Sequence, residues 1–77
     1  MNNKRRTEIA KLRGKLDDIR SAIESLRDEE QEAYDGMLES LQNSDRGELS
    51  SNAISAMEQA ESNLDDAISS LEEAESN

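Results

Sequence analysis

The chain has 77 residues, 36% of them charged and 32% hydrophobic, with a formal net charge of −10. It has no Cys, His, Pro, Trp or Phe, so disulfides and thiolate or imidazole metal sites are out, and the usual general base and best nucleophile are missing. Its length allows one small domain, residues 1–77, and no run is apolar enough for a signal peptide or a membrane span, so a cytoplasmic protein is expected.

Charge is unevenly spread. Residues 1–27 hold eight basic and four acidic residues, a balance of +4. Residues 28–77 hold one Arg against fifteen acids, a balance of −14. Such a division by sign favours two halves lying side by side, or a separate partner for each half.

The first predicted element is a helix over about 4–35. Apolar residues recur at 3-4 spacing, with Ile9, Leu16, Ile23 and Glu30 at heptad position a. Leu12, Ile19, Leu26 and Ala33 take d, and this periodicity points to a helix with a coiled-coil seam. Glu30 in the seam is a register-setting polar residue, a partner for Arg27 across a dimer, or the frayed end of the stripe. A linker over 36–47 follows. Gly36 is placed to end the helix in the left-handed conformation, and Leu38 to Gln42 can form one helical turn. Leu38, Leu41, Leu49 and Tyr34 are expected to close this end. Ser44 or Asp45 can cap the next helix, and Asp45 with Glu48 has capping-box spacing.

The second long helix is expected over about 48–75. Residues 53–63, AISAMEQAESN, return as AISSLEEAESN at 67–77, with eight of eleven positions identical at an offset of fourteen. Two heptads keep one face pointing one way. Met57, Leu64 and Leu71 fall at a, and Ala53, Ala60, Ala67 and Ala74 at d.

Together these elements predict an all-α, antiparallel two-helix hairpin of coiled-coil type. Two registers fit, one heptad apart. In the first, Leu16 faces Ala74 and Leu26 faces Leu64, leaving Ile9 and Leu12 to overhang. In the second, preferred because no large apolar residue overhangs, Ile9 faces Ala74, Leu12 faces Leu71 and Leu26 faces Met57. It also brings Lys11, Arg13 and Lys15 near Asp66, Glu72, Glu73 and Glu75. A lone hairpin of this size buries little, so a further partner is expected. Ile54 and Ile68, at e positions beside the seam, form the expected oligomer strip, with assembly into a dimeric four-helix bundle.

The sequence holds no metal-binding pattern, and no metal or other cofactor is expected. Ser residues fall on outer helix faces without a base beside them, and the paired carboxylates have no cleft, so the chain is expected not to be an enzyme. The main candidate for binding is the acidic face of the second helix, Glu58, Asp65, Asp66, Glu72 and Glu73. With the flanking Glu61 and Glu75 it carries seven carboxylates over residues 58–75, about one per 4 Å and about half as dense as duplex DNA, so a dimer could act as a DNA mimic. The basic start, Lys4, Arg5 and Arg6 with Lys11, Arg13 and Lys15, lacks aromatic residues for stacking, and direct nucleic-acid binding is not expected.

The run Ser40-Leu41-Gln42-x-Ser44-x-Arg46-Gly47-Glu48, with the Asn-Lys-Arg-Arg start, resembles small acidic helical-hairpin proteins of bacteriophages of Gram-positive hosts. The resemblance implies a small phage-encoded protein, and many small phage proteins of this kind oppose host defence. A local likeness runs from Ser44 through Met57-Glu58-x-Ala60 to Ala67-Ile68. It is similar to phage anti-CBASS sponges, which bind cyclic nucleotides between subunits. The expected function is therefore a non-enzymatic protein–protein interaction module, a phage inhibitor of a host protein with a basic surface. A cyclic-nucleotide sponge and a purely structural coiled coil are the alternatives.

Overall fold

A computed structural model describes residues 1–77. It is all helical: α1 spans Asn3–Asp35, α2 Glu39–Gln42 and α3 Asp45–Ser76. The two long helices fold back on each other in a rod of 58 × 14 × 12 Å. Met1 N donates to Asn77 O at 3.2 Å, so the helices finish level at the end away from the turn.

Local chemistry sets the helix ends. Asn2 caps α1 by accepting from Arg5 N at 2.9 Å. Ser44 caps α3 by accepting from Gly47 N at 3.4 Å, and Asp45 and Glu48 place negative charge against the exposed amides of the first turn. These caps start α3 at Asp45, earlier than the expected 48. Gly36 does not take the left-handed conformation: its φ is −79° and its ψ −8°, and no residue has positive φ. The chain leaves α1 in a right-handed step that Met37 and Leu38 carry into the single turn of α2. Leu38 and Leu49 remain 72% and 70% exposed rather than closing the hairpin end.

The pairing of the long helices follows the preferred register. Leu26 and Met57 line one shallow groove with Glu30 and Ala53. What differs from expectation is the rotation of each helix about its own axis. On α1 the residues turned towards α3 are the a positions Ile9, Leu16 and Ile23, together with the e positions Arg6, Arg13, Arg20, Arg27 and Tyr34. The d residues Leu12, Ile19 and Leu26 are at least half exposed. On α3 the most buried positions are again at e. Ile54 and Ile68, at 6% and 8% exposure, are the only buried large aliphatics.

The oligomer strip expected at Ile54 and Ile68 is thus overturned: both form the core of the hairpin itself. The reason lies in side-chain size. The d row of α3 is all alanine and has little surface to bury, whereas its e row carries two isoleucines, so turning α3 onto that edge removes more apolar area from water. The matching edge of α1 is arginine, whose aliphatic stem packs while its charged head reaches a carboxylate.

Gly14 lies mid-helix on α1, and a Cβ there would meet nothing within 4 Å. Gly14→Ala is expected to raise stability by about 0.5–1 kcal/mol, because alanine restricts the unfolded chain and favours helix. Thermal unfolding followed by circular dichroism measures the gain, and an unchanged or lower midpoint would contradict it.

Candidate functional site

A ladder of arginines runs up the inner edge of α1 at seven-residue intervals: Arg6, Arg13, Arg20 and Arg27. Three of them meet carboxylates of α3. Arg13 makes a two-pronged contact with Glu75, Nε to Oε1 at 3.0 Å and Nη2 to Oε2 at 3.2 Å. Arg27 Nη1 lies 3.1 Å from Glu61 Oε2. The same spacing would point Arg20 at Ile68, which offers no carboxylate, so its guanidinium reaches Asp65, one turn earlier on α3, instead. There Nε donates to Asp65 Oδ1 at 2.6 Å and Nη1 to Glu24 Oε2 at 3.0 Å. Arg13 and Arg20 are held protonated more firmly than usual, first by their hydrogen bonds to Glu75 and Asp65 and then by the charges of those groups. A pKa raised in the folded state stabilises below the unfolded value and ceases to do so above the folded one. For arginine that window lies far above neutrality, so these two groups give no stability change between neutral and mildly alkaline pH.

Two buried polar side chains complete this edge. Glu61 is 4% exposed, with Oε2 on Arg27 and Oε1 unpartnered. Ser50, 6% exposed, donates from Oγ to Glu30 Oε1 at 2.6 Å. Glu30 is therefore tied to α3 near the turn. A slip to the alternative register would set Glu61 against Tyr34 and Glu30 against Met57, so these two contacts favour the register observed.

The seven-residue recurrence from Arg6 to Arg27 is plain in the sequence, but apolar periodicity alone does not place arginine on an inner edge. Of the basic residues expected to reach α3, Arg13 does. Lys11 pairs only with Glu8 on its own helix at 3.6 Å, and Lys15 makes no ion pair.

The outer face of α3 has the opposite character. Glu58, Asp65, Asp66, Glu72 and Glu73 are all exposed. Asp65 is engaged by Arg20, whereas Glu58, Asp66, Glu72 and Glu73 make no ion pair. The fold thus draws three arginines inwards and leaves four carboxylates along ~22 Å of helix at 1.5 Å per residue. No group of three or more His, Cys, Asp or Glu is arranged to hold a metal ion, and no helix is long and apolar enough to cross a membrane.

No family model, curated protein or solved structure matches this chain.

Proposed function

We propose that this chain is a non-enzymatic protein–protein interaction module. It self-associates into a four-helix bundle and presents the acidic face of α3 to a partner with a basic surface. Inhibition of a host defence protein by a phage-encoded chain is the setting we infer for it, with the carboxylates competing for a site that otherwise binds nucleic acid. The observation that supports this reading is the sorting of charge. Arg13, Arg20 and Arg27 are spent on the inner edge, while Glu58, Asp66, Glu72 and Glu73 stay solvated and unpaired. A row of like charges on a rigid helix raises the association rate with an oppositely charged surface and makes binding salt-sensitive. The sponge alternative draws less support, because Arg13, Arg20 and Arg27 already hold carboxylates and Tyr34 is the one aromatic residue available to stack a base.

The test is a fourfold variant, Glu58→Gln, Asp66→Asn, Glu72→Gln and Glu73→Gln, with the helical signal checked first. A basic protein captured from host lysate by the wild-type chain is expected to bind the variant about tenfold more weakly. Four exposed charges at ~0.2–1 kcal/mol each make about that difference. High salt should release the wild-type complex. Equal capture by both chains, insensitive to salt, would remove the acidic face as the binding surface.

A further inference from the structure

Leu12, Ile19 and Leu26 are left 51%, 50% and 56% exposed by the rotation of the seam. They recur every seven residues and so form a row along α1. Beside them on α3 runs the alanine row, with Ala53 exposed and Ala60, Ala67 and Ala74 half-buried. Leu26 and Ala53 line one groove, which places both rows on the same side of the hairpin. The Arg13–Glu75 and Arg27–Glu61 pairs join the e positions of the two helices, at the opposite edge of the seam. One broad face therefore carries ridges on one helix and notches on the other.

We propose that a second copy of this chain covers this face, related by a two-fold axis parallel to the helices, so that α1 of each copy lies on α3 of the other. This rests on the self-association proposed above and adds its surface and its geometry. An axis along the rod leaves height along the rod unchanged. Each α1 residue then meets the partner's α3 at the level where its own α3 already stands. Leu26 lines one groove with Ala53 and Met57. The seven-residue repeat then sets Ile19 beside Ala60 and Leu64, and Leu12 beside Ala67 and Leu71. All three large side chains meet the alanine row, bulk against notch, as in a coiled coil. A two-fold across the rod would instead stack large residues on large ones and alanine on alanine, leaving the α3 rows out of contact.

Charge favours the same choice. Lys15 borders the apolar row and is unpaired within the hairpin. The proposed axis carries it within about one helical turn of the partner's Asp66, which is also unpaired. The two strongly acidic α3 helices come to lie on a diagonal, with an α1 between them on either side. The area is sufficient. About three heptads of two adjacent helices make a face ~35 Å by ~20 Å, roughly 700 Å² per copy, near the ~800 Å² per partner of a stable interface.

The chain has no cysteine, so single cysteines report the geometry cleanly. Ala22 and Asn63 are exposed and lie at g positions on the margin of the proposed face, about one helical turn or less apart in height. Mixing A22C and N63C chains under mild oxidation should give the mixed disulfide, with neither variant linking to itself. In sedimentation, the wild-type chain should run at twice its 8.6 kDa mass, and Ile19→Glu should run as a monomer with its helical signal intact. Preferential self-linking of A22C or N63C would overturn the axis while leaving self-association standing. A persistent Ile19→Glu dimer would overturn the face. A wild-type chain that stays monomeric at high concentration would overturn both the geometry and the assembly beneath it.

Discussion

Gly47→Ala is expected to destabilise the hairpin by about 1–3 kcal/mol, the range for forcing an extra carbon into filled space. Gly47 is buried within the first turn of α3. A Cβ there would collide with the backbone carbonyls of Gln42 and Leu41. Backbone cannot swing aside as a side-chain tip can. Leu41 O already accepts from Ser44 N at 3.1 Å and from the Ser44 hydroxyl, and the Gln42 side chain is anchored on Tyr34 O at 3.0 Å. The glycine is required for room and not for an unusual backbone angle, since no residue has positive φ. The same substitution at Gly14 has the opposite expected sign. Comparing the two therefore separates helix propensity, which favours alanine at both positions, from space, which is lacking only at Gly47. For a chain of this size 1 kcal/mol corresponds to about 4–8 °C in Tm. A Gly47→Ala midpoint at or above wild type would show that α2 does not pack against the start of α3 as described.

Ile54→Ala and Ile68→Ala are each expected to cost about 2–4 kcal/mol in urea unfolding, the usual loss for truncating a buried aliphatic side chain. Leu26→Ala, measured at a concentration low enough to keep the chain monomeric, should cost only about 1 kcal/mol. Leu26 is 56% exposed and has correspondingly less burial to lose. The order of these effects reports the rotation of the helices. In an a/d seam Leu26 would be the costlier loss, so finding Leu26→Ala worse than both isoleucine variants would refute the seam described above. At higher concentration Leu26→Ala should become more damaging, because the proposed second copy covers that residue.

The helix period was legible without coordinates. Apolar residues at 3-4 spacing from Ile9 to Leu26, and the two copies of the eleven-residue unit, leave no room for strands. Gly36 and Gly47 bracket the turn, and avoiding overhang at Ile9 and Leu12 selects the register in which Leu26 meets Met57. The acidic face of α3 was equally plain, since consecutive b and c positions carry the carboxylates.

What sequence reasoning misplaced was the angle at which each helix meets the other. Sorting positions by apolarity put Leu12, Ile19 and Leu26 inside and Ile54 and Ile68 outside. The structure does the reverse. A heptad pattern allows a broad apolar sector, and turning a helix by the angle between d and e keeps the a positions inside either way. Arginine is the ambiguous residue. Its stem is apolar and its head is charged, and whether it belongs in a seam depends on a carboxylate waiting opposite. Arg13 finds Glu75, and Arg27 finds Glu61. Those partners lie 62 and 34 residues away along the chain, so no local pattern announces them.

Period, polarity and chain reversal are properties of near neighbours, and the amino-acid order determined them by itself. The rotation of each rod, and hence which apolar row is spent within the hairpin and which is left for another surface, depended on long-range pairing of side chains. Only the tertiary structure decided that, because burying the Ile54 and Ile68 edge requires the arginine edge of α1 to find carboxylates far along the chain.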